Sequence, residues 1–284
     1  MLTVFLVIIS MLSSVTQNCI MNRASKIDLK TNNHIFYFNA ILSLVCIAIF
    51  GVMLIGGKLS LFTVLVAVIF GVMTAMRSVY NMQALSVGPM NITIMITTSS
   101  TIIPTLSGIF FGEKFSLAKL ILVFVLIGFI CISLKSDGES NINKKWLFFA
   151  FLAFITQGLI GVLQKVHQAS AYKGEVSGFL FITFIIAYIF NRFRLRVRVK
   201  ELGFKPKYFL FAVICGLCTF SMNYLNLKLA GIIPSQIFFP VVNGGSMVLN
   251  QIMSVALFKE RPTKKQIIGI VGGIATLIAI CIVK

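Results

Sequence analysis

Acid is what this chain lacks most. Seven Asp and Glu stand against 25 Lys and Arg in 284 residues. The seven (Asp28, Glu113, Asp137, Glu139, Glu175, Glu201 and Glu260) fall at the ends of apolar stretches or in the breaks between them. None falls mid-stretch, which excludes the buried carboxylate that a proton-coupled cation exporter shares between proton and substrate. Long polar segments are missing too. The longest break runs only from about 191 to 206, so no soluble domain fits between the apolar stretches. Cysteine is sparse, and all six (Cys19, Cys46, Cys131, Cys215, Cys218 and Cys281) lie within apolar stretches, which speaks against a disulfide framework or a metal cluster. The CxxC spacing of Cys215 and Cys218 reads as packing inside a helix. Signatures of intramembrane catalysis are absent: there is no mid-membrane Asp pair, no HExxH and no GxSxG, so the chain does not read as an enzyme. No cofactor motif is present. The first stretch has no basic leader and no small-residue cleavage site, which argues against a removed signal peptide.

What fills the chain is apolar. Hydrophobic residues make up 58% and charged ones 11%, with a mean hydropathy of +0.99. A soluble domain of this length could not hide that much apolar surface. A membrane-crossing helix needs about 20 apolar residues. Ten such stretches are expected, near 1–22, 34–56, 61–86, 90–111, 116–134, 146–168, 174–190, 207–229, 233–257 and 263–283. The expected fold is therefore an all-α polytopic protein, multi-pass in a lipid bilayer, with a bacterial-type plasma membrane as its place. The net charge of +18 does not indicate nucleic acid. Lys and Arg cluster in short loops beside helix ends, where anionic headgroups attract them.

The chain also repeats itself. Residues 63–89 align without a gap on 208–234 at an offset of 145, with eight of 27 positions identical. Apolar matches mean little between membrane helices, but Gly71/Gly216, Thr74/Thr219, Asn81/Asn226 and Pro89/Pro234 also match. Each Thr–Asn pair is seven residues apart, close to two helical turns, so both members share a face. At an offset of 147, Ser10 and Gln17 fall on Gln157 and Gln164, and Glu113-Lys114 with Ser116 falls on Glu260-Arg261 with Thr263. Ser116 and Thr263 are natural N-caps for the helices that follow. Two five-helix halves follow, 1–142 and 143–284, joined by SDGESNINKK. Five is odd, so the second half enters the membrane in the opposite sense, as in an inverted-topology repeat.

Ten helices in two halves, each with a G/K-E-[KR]-x-[ST] turn before a Gly-containing last helix, resemble the drug/metabolite transporter superfamily, in its EamA-like branch. The resemblance implies secondary transport of a small metabolite, usually export, through a central cavity between the halves. The small four-helix multidrug relatives use a membrane glutamate, and this chain departs from that pattern.

Polar residues inside the apolar stretches are not scattered. The first stretch carries Ser10, Ser13, Gln17, Asn18 and Asn22, and the sixth carries Gln157, Gln164, Lys165 and His167. The third has Thr74, Arg77, Ser78 and Asn81, and the eighth has Thr219, Asn223, Tyr224 and Asn226. The fourth carries Asn91, Thr97, Thr98 and Thr101, and the ninth Gln236, Asn243, Ser246, Asn250 and Gln251. The second, fifth, seventh and tenth have few polar groups mid-stretch. Helical spacing puts each set on one face, and buried polar groups in hydrocarbon cost energy unless paired or wetted. Six helices are thus expected to turn polar stripes toward a shared interior, although single Asn, Gln or Thr residues also serve as helix glue. The candidate substrate-binding residues are Gln17, Thr74, Arg77, Asn81, Thr98, Gln157, Gln164, Asn223, Asn226, Asn243, Ser246 and Asn250. Arg77 leads the set, with snorkelling to an interface as its alternative. Lys165 reads as a snorkelling side chain and His167 as an interfacial one. Pro104 and Pro240 are expected to interrupt their helices. Gly269 and Gly273 form a GxxxG face for an internal or a dimer contact, leaving monomer and homodimer both open.

The expected function is a secondary transporter, an exporter, of a small polar or amphipathic metabolite that is amino-acid-like or anion-bearing. The alternative is a channel or a lipid flippase. Basic residues weigh toward the loops after odd-numbered helices. The equivalent loops after the second and seventh hold one (Lys58) and seven (Arg192 to Lys207). That bias places both termini outside, whereas the family resemblance places them inside.

Overall fold

The computed structural model describes residues 2–27, 29, 31–112, 116–134, 143–203, 206–259 and 263–283. The described residues are helical, in the order α1 (Leu2–Ile27), α2 (Asn32–Leu54), α3 (Leu61–Val87), α4 (Met90–Ser99), α5 (Ile102–Ser107), α6 (Leu117–Leu134), α7 (Lys144–Gln168), α8 (Val176–Arg194), α9 (Pro206–Ala230), α10 (Ser235–Phe258) and α11 (Lys264–Ile282). Short 3₁₀ turns follow α5 at Gly108–Phe111 and precede α9 at Val199–Leu202. Asp28, Glu113, Lys114, Asp137, Glu139, Glu260 and Arg261, and with them the acid–base turns, lie outside the described residues.

Helix starts follow local chemistry. The Thr31 hydroxyl accepts from the His34 N–H and opens α2, and Ser60 does the same for Thr63 at α3. Asn143 accepts from the N–H groups of Lys145 and Trp146 to open α7. Each satisfies a donor that a helix N-terminus leaves without an intrahelical partner. The α7–α8 turn is pinned back to α3. Glu175 Oε2 accepts from both the N–H (2.9 Å) and the hydroxyl (2.8 Å) of Ser60.

Eight helical stretches among the described residues are long and apolar enough to cross a membrane. The fourth of them, Ile92–Phe111, runs through α4, α5 and the 3₁₀ turn. Of the ten expected spans, the fifth and tenth are shorter. Their apolar stretches are Leu120–Phe129 in α6 and Ile267–Thr276 in α11. α6 has 18 residues, about 27 Å of rise, just under a hydrocarbon core of about 30 Å. The fourth span is broken because Pro104 has no N–H for the Ser100 carbonyl. That carbonyl accepts from Ile103 instead, while Thr105 bonds to Thr101. Pro240 behaves differently. α10 runs through it unbroken, so the interruption expected there does not occur.

Packing partners come in matched sets. α2 lies along α8, and α6 along α11. α3 packs on α7 and α8, while α9 packs on α1 and α2. α7 meets α4 and α5, and α1 meets α10. Two matched glycines allow close approaches to a backbone carbonyl and a Cβ of the neighbouring helix. A Cβ on Gly71 in α3 would lie 2.6 Å from the Thr183 carbonyl of α8, and one on Gly216 in α9 would lie 2.7 Å from Val45 Cβ of α2. Small residues of this kind let helices approach in lipid, where hydrophobic burial does not drive them together. In the last helix, a Cβ on Gly272 would lie 2.2 Å from Phe129 of α6, whereas Gly273 makes ordinary contacts with Met247 and Leu126. Large apolar side chains such as Phe5, Leu65, Phe124, Phe151 and Leu210 stay exposed on the outside, the surface that faces lipid.

Candidate substrate cavity

The polar stripes close around a central cavity of about 1170 Å³ of empty space, its open mouth included. Eight of the ten expected spans reach it. α1 contributes Ser14, Gln17 and Asn18, and α2 contributes Asn39, Leu42 and Ser43. α3 contributes Thr74, Ala75, Arg77 and Ser78, while the broken fourth span gives Ile94, Thr97, Thr98, Ser100 and Pro104. Further along the chain come Gln157, Ile160, Gly161 and Gln164 of α7, and Phe184, Ala187 and Asn191 of α8. α9 adds Thr219, Met222, Asn223 and Asn226, and α10 adds Phe238, Phe239, Val242, Asn243, Ser246 and Asn250. On most of these helices the lining residues recur at intervals of three and four, the spacing of one helical face.

Eleven of the twelve candidates therefore lie on the wall, and Asn81 does not. It is 1% exposed and its Nδ2 has no partner. The physical reason is depth. Seven residues from Thr74 keep Asn81 on the same face but carry it about 10 Å along the axis, past Arg77 and Ser78, the last residues of α3 on the wall. α2 and α8, expected to contribute little, provide Asn39, Ser43 and Asn191. The i, i+4 pair Asn39/Ser43 was the available signal on α2. Asn191 falls one residue past the expected end of its span, and α8 in fact runs to Arg194.

Two basic residues also depart from expectation. Lys165 does not snorkel. It is buried, and its Nζ donates to the Ala230 carbonyl at 2.9 Å, covering the C-terminal end of α9. Such ends carry partial negative charge. His167 is fully buried, its ring centroid 4.4 Å from that of Phe179 and its Nε2 3.4 Å from Thr63 Oγ1. Cys215 is buried and unbridged, with its thiol directed at the Gln17 carbonyl.

Hydrogen bonds give the wall its character. Asn39, Asn191, Asn223 and Asn250 each donate a side-chain N–H to the carbonyl four residues back in their own helix. Thr97 and Thr98 donate to carbonyls in the same way. Donors are thus spent within the helices. The Oδ1 atoms of Asn191 and Asn250 and the hydroxyls of Thr74 and Ser246 have no partner. Bonds that join helices around the interior include Ser10 to Asn226 Oδ1 (2.5 Å), Gln17 Nε2 to Thr219 Oγ1 (2.8 Å), Asn243 Nδ2 to Thr101 Oγ1 (2.8 Å) and Ser78 Oγ to Asn39 Oδ1 (2.5 Å). Arg77 is the one charged side chain among the lining residues. A wall that carries one guanidinium and, elsewhere, the apolar side chains of Met222, Phe184, Phe238 and Phe239 can hold a solute that has an anionic end and an apolar body.

Helices long and apolar enough to cross a membrane, around a polar cavity, are the architecture of a multi-pass membrane protein. Residues 144–282 match the model of the EamA-like transporter family, part of the drug/metabolite transporter superfamily. Over those residues the chain is similar to membrane transporters of the drug/metabolite type. A solved chain described only as "Crystal structure of protein" matches with a TM-score of 0.67 and 13% identity, covering 97% of this chain and 99% of that one. At that identity the likeness concerns the fold alone. No curated protein matches the sequence.

Proposed function

We propose that the protein is a secondary transporter, working as an exporter in a bacterial-type plasma membrane, for a small polar or amphipathic metabolite with an anionic group. Transport runs by alternating access between two inverted five-helix halves, 1–142 and 143–284. Several features support the halves. Exchanging each helix of the first half for its counterpart in the second turns the packing partners α3–α8 into α9–α2, and α3–α7 into α9–α1. The matched glycines Gly71 and Gly216 sit at the first of these pairs of contacts. The family match spans 144–282, close to the second half. A substrate site between such repeats lies near mid-membrane.

The observation that carries the substrate reading is Arg77. Among the described residues it is the one charge on the wall, and no carboxylate lines the cavity beside it. A cation in a low-dielectric site without a counter-ion is costly, so an incoming anionic group gains more there than in water. Neutral donors and acceptors from Gln17, Thr74, Thr98, Gln157, Gln164, Asn223, Asn226, Asn243, Ser246 and Asn250 then fix its orientation.

Counterflow in proteoliposomes tests this. A panel of labelled amino acids, small carboxylates, sugars and lipophilic cations is offered to purified protein. Saturable, self-exchangeable flux is expected for an anion-bearing solute and none for the cations. Arg77→Ala should lower that flux at least tenfold with normal expression, and Arg77→Lys should retain part of it. Non-saturable flux would indicate a channel, and an Arg77→Ala variant with unchanged flux would remove the anion site.

A further inference from the structure

Two inter-helix hydrogen bonds in the structure have counterparts that are not made. Ser10 and Gln17 of α1 bond to Asn226 and Thr219 of α9. The repeat offsets map these four residues onto Gln157 and Gln164 of α7 and onto Asn81 and Thr74 of α3. α7 and α3 are packed together, yet the Oγ1 of Thr74 and the Nδ2 of Asn81 are buried without any partner. Gln157 and Gln164 line the cavity, as Gln17, Thr219 and Asn226 do, but do not bond to Asn81 or Thr74. One side of the molecule is latched and the equivalent side is unlatched, and the unpaired Thr74 Oγ1 is the counterpart of the Thr219 Oγ1 that accepts from Gln17. A buried polar atom left unpaired is costly, so the unlatched side is primed for a state in which the cost is removed.

Resting on the inverted-repeat reading above, we infer that Ser10–Asn226 with Gln17–Thr219, and Gln157–Asn81 with Gln164–Thr74, are two interchangeable locks of the transport cycle. The structure has the first lock closed. In the opposite-facing state, α7 shifts along the α3 surface it already packs on, the second lock closes and the first opens. Both states then make the same number of these bonds, which keeps them close in free energy and lets bound solute shift the balance.

Cysteine pairs test this in the full-length protein, reconstituted in liposomes after replacement of its six native cysteines. A short bifunctional thiol reagent should join Ser10→Cys to Asn226→Cys, and in a separate variant Gln157→Cys to Asn81→Cys. In a protein carrying all four substitutions, each molecule should close one pair and not both. The isosteric changes Thr219→Val and Thr74→Val should act oppositely on the Gln157→Cys/Asn81→Cys rate. Each removes one hydrogen bond, so the rate should rise about fivefold for Thr219→Val and fall about fivefold for Thr74→Val. Equal effects in one direction, or a Gln157→Cys/Asn81→Cys pair that never closes while the other does, would overturn the exchange. Ser14→Cys, on the cavity wall, separates this outcome from failure of the wider reading. If a membrane-impermeant thiol reagent reaches it from both faces while the second pair never closes, alternating access stands and the locks fall. If it is reached from one face only, alternating access falls as well.

Discussion

Gly71→Ala asks how tightly α3 and α8 are held together. The added Cβ would lie 2.6 Å from the Thr183 carbonyl oxygen, 2.8 Å from Ile186 Cβ and 3.1 Å from Ile186 Cγ2. Ordinary contact needs about 3.4 Å or more, and the nearest of these atoms is backbone, so no side-chain rotation relieves the clash. α8 must retreat by roughly 0.5–1 Å, a gap that forfeits a quarter to a half of each dispersion contact along the seam. Overpacking of this kind costs about 1–3 kcal/mol. At roughly 2–3 °C per kcal/mol for a chain of this size, the unfolding midpoint in detergent should fall by about 2–9 °C. Gly216→Ala, facing Val45 and the Leu42 carbonyl, should fall by a similar amount. Gly128→Ala is the control. Nothing lies within 4 Å of a Cβ there, and replacing a mid-helix glycine favours the helix by up to about 1 kcal/mol. Its midpoint should hold or rise. A Gly71→Ala protein as stable as the parent, or a Gly128→Ala protein that drops as far, would refute close approach at α3–α8 as the reason for glycine.

Lys165→Met keeps the length of the side chain but removes the donor from the buried Ala230 carbonyl, so it should cost about 1–3 kcal/mol. A detergent melting curve reads it, and Lys165→Arg should lose less. At Glu175, burial raises the carboxyl pKa, but the bonds from Thr63 and Ser60 and the nearby His167 outweigh burial and hold it below the ordinary range. The folded pKa is thus the lower one, so this contribution to stability is present at neutral pH and is lost as pH falls through it. Glu175→Gln should remove that acid-side loss from a melting-versus-pH series, and an unchanged series would show that the tie is weak. The charge bias places the 195–205 loop in the cytoplasm. Cysteines at 195 and 203 should then resist an impermeant thiol reagent in intact cells, and labelling there would reverse the orientation.

The apolar stretches and their breaks were legible because a membrane helix is nearly a one-dimensional object. Its length comes from the bilayer, and its ends come from caps and prolines that a reader can name. What failed was context. Lys165 looks like a snorkelling residue until the C-terminal end of α9 arrives beside it with a carbonyl in need of a donor. His167 looks interfacial until Phe179 and Thr63 enclose it. Pro104 and Pro240 are the same residue in similar helices, yet only the first breaks its helix, and no local spacing distinguishes them.

Periodicity reports the angle around a helix and is blind to depth along it. Thr74 and Asn81 share a face, and one of them lies past the last residues of α3 on the wall. The proposed repeat supplies part of what periodicity cannot, because a duplicated chain can be compared with itself. Matched residues, such as Gly71 with Gly216, mark what either half needs in order to pack. Mismatched ones mark what the halves do not share. Position 77 maps onto 222 at the same offset, so arginine stands on one side of the cavity where methionine stands on the other, and both line the wall. Packing two like halves requires no such difference. A solute with a charged end and an apolar body does, because a site symmetric in chemistry could not tell one end of it from the other. Specificity in this fold is then to be sought in the lining residues that break the repeat, and conformational balance in those that keep it.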